Sequence, residues 1–178
     1  MITLFAFLLS TAHGFEIRTD EFGQPVKWQR KTIRYQVNPE GNHGLSKAAV
    51  NTMISAATRA WTAHVPGSLR FSHEGTTNIR RINHEDGGNV VYFEDEWDQD
   101  PGLSHEFGHA LAIDHSPFME LATMYPTSPM GEILKRDLWD DDINAVIHLY
   151  ANFEDAGAVA AGCSAAGFNP NTLAIWLS

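Results

Sequence analysis

The sequence predicts an α+β fold. A half-buried strand, an amphipathic helix and two more short strands fill its first half, and two helices with no strand between them fill most of the rest. Its 178 residues suit a single domain. With 43% apolar residues there is enough material for a packed core.

In the stretch 26–37 (VKWQRKTIRYQV), Ile33, Tyr35 and Val37 alternate with Arg34 and Gln36, the pattern of a strand with one buried face. Asn38-Pro39-Glu40-Gly41 is a turn. Residues 45–64 have helical spacing. Val50, Met53, Ile54, Ala57, Ala60 and Trp61 form the apolar stripe, Ser46 can cap the start, and Pro66-Gly67 ends the run. Strands are expected at 68–72 and 89–93. The acidic stretch Glu94, Asp95, Glu96, Asp98 and Asp100 could hold calcium, but it lacks an Asp-x-Asp-x-Asp-Gly loop and reads as a solvated turn. A helix is expected over 103–113, capped by Asp100 or Ser104. The last helix opens on Asp140-Asp141-Asp142, acids facing the positive end of its dipole, and buries Ile143, Val146, Ile147 and Tyr150.

The termini differ from this body. Residues 1–14 (MITLFAFLLSTAHG) join a short apolar run to Ala12-x-Gly14, the form of a secretory signal peptide that leaves Phe15 first. That run is too short to span a bilayer. The folded domain is therefore expected over 15–151, followed by a flexible, low-complexity tail over 152–178. The expected product is an exported monomer with no membrane insertion of the mature domain. Twelve basic against 22 acidic side chains give a net charge of −10, which argues against nucleic acid as a partner. One cysteine, Cys163, excludes an intramolecular disulfide and a cysteine-based zinc cluster.

Nine histidines are the outlying feature, and three of them lie in HEFGHALAIDH, residues 105–115. On a helix, residues four apart share a face, so His105 and His109 can aim two imidazole nitrogens at one point. Zinc accepts such nitrogens, and a catalytic site needs three protein ligands and one open position. Glu106 follows the first ligand, where its carboxylate can reach that open position. His115 becomes the third ligand if the helix stops near Ala112 and the chain turns back. An H-E-x-x-H pattern arises by chance in about three such chains in a hundred, and the added histidine lowers this to about one in a thousand. Other zinc peptidases take a later Glu as third ligand. Glu120 and Glu132 are the candidates here, and neither begins a Glu-x-x-x-Asp pattern.

HEFGHALAIDHS, followed by Met124-Tyr125-Pro126, resembles the zinc-binding segment and Met-turn of the metzincin proteases, in the matrixin (matrix-metalloproteinase-like) branch. The last helix resembles the C-terminal helix of matrixin catalytic domains, and VKW…IRYQVNPEG the first strand of secreted bacterial matrixin-like peptidases. The resemblance implies a metzincin-like α+β fold: a small, twisted, mostly parallel sheet with one packed helix, a zinc-binding helix, a Met-turn and a C-terminal helix. It implies a secreted zinc endopeptidase acting on polypeptide. His105, His109 and His115 would be ligands to one Zn2+, Glu106 the general base, Met124 the floor under the metal, and Tyr125 and Pro126 walls of the pocket for the side chain after the cleaved bond.

Three departures accompany the resemblance. Ala112 stands where the family has glycine, at a position needing a left-handed backbone, at a cost of about 1–2 kcal/mol. Only about a dozen residues separate Phe93 from His105, so the strand that borders the substrate cleft is expected to be missing, and His73 and His84 read as surface histidines rather than ligands of a second zinc. No Pro-Arg-Cys-Gly segment lies upstream, and Cys163 reads as a bystander. These departures motivate a rival reading, a degenerate relative that binds zinc without cleaving polypeptide.

Overall fold

The computed structural model describes residues 14–40, 44–80, 89–93, 102–129 and 131–153, and the backbone of 174–177. Residues 1–13 of the expected signal peptide, His84, the acidic stretch 94–100 and Cys163 lie outside the described residues.

The order is β1 (Thr32–Val37), α1 (Lys47–Thr62), β2 (Arg70–Thr76), β3 (Val90–Phe93), α2 (Leu103–Ala110), a 3₁₀ turn (Leu134–Arg136), α3 (Asp140–Tyr150) and β4 (Ala174–Leu177). The strands form one sheet in the order β2-β1-β3-β4, with every pairing parallel. Thr32 lies opposite Arg70 and Tyr35 opposite His73, while Val37 faces Val91. The fold is α+β, as the sequence pattern predicts.

The core forms where the patterned faces meet. Ile33, Tyr35 and Val37 are buried, together with Val50, Ile54, Ala57 and Trp61 from α1 and Phe107 from α2. Ser46 caps α1 by accepting from the Ala49 N–H at 3.1 Å. Phe71, Tyr35 and Phe107 meet edge to face, with centroids 5.1–6.4 Å apart, a geometry that adds to simple burial.

Several expectations are corrected. β1 begins at Thr32, not Val26, because the preceding residues have other partners: the Val26 N–H pairs with the Arg18 carbonyl and the Trp28 indole N–H with the Ala110 carbonyl. Met53, expected in the stripe of α1, is 43% exposed. The helix buries Thr58 instead, whose hydroxyl is satisfied by the Ile54 carbonyl. The cap of α2 is neither Asp100 nor Ser104 but Gly102, at φ 97°, where only glycine is unstrained. In α3 the buried face holds Ala145, Val146, Leu149 and Tyr150, and Ile147 is 40% exposed.

Within the segment read from sequence as a tail, Ala174–Leu177 runs parallel beside β3, from Val90 opposite Ala174 to Phe93 opposite Leu177. An open β3 edge would carry unpaired backbone groups, and the Ala-Ile-Trp-Leu stretch contains good strand formers. This pairing puts β4 at the sheet edge that lies beside α2. Among the described residues, no helix is long and apolar enough to cross a membrane.

Candidate metal centre

Helix α2 is clamped by three large side chains. The Trp61 indole N–H donates to the Ser104 carbonyl at 2.8 Å in the first turn. The Trp28 indole donates to the Ala110 carbonyl at 2.7 Å, and the Tyr150 hydroxyl to the Leu111 carbonyl at 3.1 Å. The latter two satisfy carbonyls that a helix end would otherwise leave unpaired. Gly108 lets the helix approach Met124 and Trp61: a methyl group there would overlap the Met124 sulfur and lie 2.8 Å from the Trp61 ring.

The helix ends as its sequence demands. Ala112 adopts φ 65°, the left-handed conformation expected of the family's glycine position. Around it the Ala112 N–H reaches the His109 carbonyl at 3.0 Å and the Ile113 N–H the Gly108 carbonyl at 3.1 Å, the two bonds of a Schellman motif. The reversed chain is then held against the N-terminal segment. Arg18 N–H bonds to the Ala112 carbonyl at 2.9 Å and Asp114 N–H to the Glu16 carbonyl at 2.8 Å, flanking the Ile17–Ile113 bridge. His115 follows directly.

The three imidazoles converge. Their ring centroids are 4.6, 5.2 and 4.8 Å apart, and one nitrogen from each lies within 4.8 Å of the others. Backbone carbonyls fix two of the rings, through His105 Nδ1 to Thr123 O at 2.7 Å and His109 Nδ1 to Ile113 O at 2.9 Å. A carbonyl can only accept, so both Nδ1 atoms carry the proton and both Nε2 atoms present a lone pair. His109 Nε2 and His115 Nε2 are 3.2 Å apart. Two ligands at tetrahedral angles on an ion about 2.0–2.1 Å from each would be about 3.3 Å apart. The donor set therefore fits zinc: three imidazoles, two of them with a carbonyl partner behind the ring, as metal-bound histidines commonly have.

The environment keeps the His105 and His109 rings neutral. His105 is 1% exposed, and burial, followed by the neighbouring His109, lowers its pKa to about 3. Burial lowers that of His109 to about 4. Neutral imidazole is the form that binds metal. Glu106 is half-buried and lies on α2 beside the first of these histidines.

Next to Thr123, whose carbonyl holds the His105 ring, Met124 is fully buried and Tyr125 and Pro126 are half-buried. This turn is suspended from α3. The Asp142 carboxylate accepts the N–H groups of Thr123 at 2.7 Å, Met124 at 3.0 Å and Trp139 at 2.9 Å. Asp141 accepts the Ser116 hydroxyl at 2.7 Å and the Gly14 N–H at 3.0 Å. From sequence these acids face the helix dipole, whereas the buried Asp141 and Asp142 organise the turn that carries Thr123 and Met124. Glu132, weighed as a third ligand, turns into its own loop to accept from Ser128 and Lys135. His73 is exposed and stacks on Tyr35 at 5.3 Å.

The matrixin family model matches residues 84–151, which include the whole histidine segment and α3. The chain is matrixin-like. Matrix metalloproteinase-18 of Xenopus laevis is 27% identical over 159 residues, covering 69% of this chain and 33% of its own length. Matrix metalloproteinase-20 of Homo sapiens is 25% identical over 162 residues, covering 72% and 33%. The matrixin-like chain thus spans about a third of the length of these curated relatives. The matches support a zinc metallopeptidase-like relationship, and the His105, His109 and His115 group could hold the metal ion.

Proposed function

We propose that this matrixin-like chain is a zinc-dependent endopeptidase acting on polypeptide substrates. The observation that supports this most is the convergence of three imidazoles, one nitrogen of each within 4.8 Å of the others, beside the helix that carries Glu106. His105, His109 and His115 would hold zinc, His105 and His109 through Nε2. When bound, zinc would make an attacking water more acidic and polarise the scissile carbonyl. Glu106 takes the proton of that water on its carboxylate and delivers it to the leaving amine nitrogen. Buried Met124 keeps an apolar floor under the rings, and Tyr125 and Pro126 wall the pocket beside them. Residues 1–14 would direct export and leave Phe15 first.

Replacing Glu106 by Gln removes the base and leaves all three imidazoles in place. The E106Q chain is expected to retain one zinc per molecule while its digestion of denatured casein falls at least a thousandfold, at the upper end of what a positioned acid–base group contributes. Casein digestion at the parent rate would overturn the assignment of Glu106.

A second reading, a zinc-binding relative without peptidase activity, is favoured by one feature: the β3 edge beside α2 is paired with β4. Both readings expect bound zinc. Only the peptidase digests casein and is stopped by a hydroxamate.

A further inference from the structure

A basic groove runs along the edge of the sheet that lies farthest from β4. There β2 is the outermost strand, and among the described residues no strand pairs with its outer edge. The Arg70 N–H bonds to the Lys31 carbonyl at 2.8 Å. Backbone groups alternate sides along a strand, so Arg70 and Ser72 turn theirs to β1, while Phe71 and His73 turn theirs outward. The side chains of Phe71 and His73 lie on the Tyr35 face of the sheet, where His73 stacks on Tyr35 and Phe71 meets it edge to face. Between β2 and α1 an open groove of about 590 Å3 is lined by Tyr35, Ser55, Arg59, Arg70, Phe71 and His73, among others.

The charge of this groove is opposite to that of the chain. The molecule carries −10 overall, with 22 acidic residues, yet residues 41–73 contain no Asp or Glu and include Lys47, Arg59 and Arg70. The acid that follows, Glu74, accepts the Ser72 hydroxyl at 2.9 Å and so lies on the other face of β2. Arg59 donates through Nε to the Ser55 carbonyl at 3.1 Å, and Arg70 through Nε to the Thr32 hydroxyl at 2.7 Å. A guanidinium has five N–H donors. Each arginine therefore keeps its terminal amino groups for a carboxylate, and among the described residues neither has one.

We propose that the groove between α1 and β2 binds an extended, acidic stretch of polypeptide, which adds a strand to the β2 edge and sets carboxylates on Arg59 and Arg70. The outward backbone groups of Phe71 and His73 supply main-chain hydrogen bonds, and the guanidiniums select the charge. A sulfated polysaccharide matches the charge but leaves that backbone edge unused. The acidic balance of the rest of the chain repels such a partner, which confines docking to this face. The site uses no residue of the histidine cluster and stands without the peptidase reading. In a peptidase it holds the substrate by a segment remote from the cleaved bond.

The test measures binding of a fluorescent peptide, three repeats of Val-Glu-Glu, to the full zinc-loaded E106Q chain, chosen so that the peptide is not cut. In an extended conformation this repeat carries carboxylates on both faces. Adding R59Q or R70Q, both at exposed positions, should weaken binding about fivefold each, the upper end for an exposed ion pair. N-methylation of alternate peptide residues removes ladder donors and should weaken it about tenfold. The peptide with lysine in place of glutamate should not bind. The proposal is overturned if the glutamate peptide fails to bind, if the lysine peptide binds as tightly, or if the double variant R59Q/R70Q binds like the E106Q chain. It is also overturned if the N-methylated peptide binds as tightly as the unmodified one, or if a heparin fragment binds through the two arginines and the peptide does not. A chain that binds the peptide as expected yet digests no casein in its parent form sinks the peptidase reading and leaves this inference standing. One that digests casein and ignores the peptide does the reverse.

Discussion

Two small residues on either side of His109 set the path of the chain through the site. Gly108 has no room for a side chain, because Met124 and Trp61 press on it and the Trp61 indole is anchored to Ser104. Alanine would gain about 1 kcal/mol of helix propensity. Moving two buried side chains costs more, about 1–3 kcal/mol for an overpacked core. G108A is therefore expected to lower stability by about 1–2 kcal/mol in urea titration, and an unchanged midpoint would mean that Met124 does not lie against this face. Ala112 presents the opposite case. It holds φ 65°, which favours glycine, but it is 4% exposed, so its methyl group is buried. Glycine relieves strain of about 1–2 kcal/mol and gives up methyl burial of about 0.8 kcal/mol. A112G should raise the melting temperature by about 1–3 °C in calorimetry, and a fall would show that the turn is not left-handed. The position of the turn was legible in sequence, since only a reversal near Ala112 lets His115 meet the other two histidines. The partners behind the rings were not, because Thr123 and Ile113 act through their backbone carbonyls, which any residue supplies.

At the level of elements, α3 holds the end of the histidine-bearing helix α2 and the turn at Thr123-Met124 in register. The Asp142 carboxylate alone satisfies three N–H groups on two segments, the Thr123 and Met124 ones buried. Burial pushes its pKa up, and those donors partly restrain the shift. Asparagine has one acceptor oxygen and would turn an N–H toward a donor, so D142N should cost about 3 kcal/mol, the loss of a charge-assisted bond plus an orphaned donor. The turn carries Thr123, whose carbonyl orients His105. The same variant should therefore weaken zinc binding by about 10–100-fold in a chelator competition, the range for losing support behind a metal ligand. A destabilised chain that binds zinc as tightly as the parent would separate the two roles and contradict this coupling. The elements themselves were unevenly legible. Helix α1 was clear because a capping serine, a long stripe and Pro66-Gly67 agree. In α3 two overlapping apolar faces compete, Ile143 and Ile147 against Ala145 and Leu149, and only the neighbouring surface decides that the second pair turns inward. β4 was beyond reach from sequence, because its pairing depends on which edge of β3 the rest of the fold leaves open.

For the molecule as a whole, the histidine cluster ties stability to pH and metal. In the metal-free chain His105 and His109 have pKa values lowered to about 3 and about 4, chiefly by burial, against an ordinary 6.5. Between those limits the unfolded chain binds protons that the folded chain refuses. Stability must then rise with pH through this window: it is complete above about 6.5 and lost progressively as the pH falls toward about 4. Zinc adds to this stability, since it binds the folded cluster, whose His105 and His109 nitrogens are already free of protons in this window. At a free concentration a thousand times its dissociation constant it adds about 4 kcal/mol, or roughly 8–16 °C in melting temperature for a chain of this length. Calorimetry at pH 7.5, 6.5 and 5.5, with and without zinc, should therefore show two effects. The EDTA-treated chain changes little from pH 7.5 to 6.5 and melts lower at 5.5, while the gap opened by zinc, as far as His105 and His109 set it, stays nearly constant. Replacing His109 by Gln, which cannot take up a proton in this range, should flatten the metal-free trend and remove most of the zinc gap. A metal-free melting temperature independent of pH would mean that these imidazoles are solvated in the fold, and an ion could not then be gripped by neutral rings held ready for it.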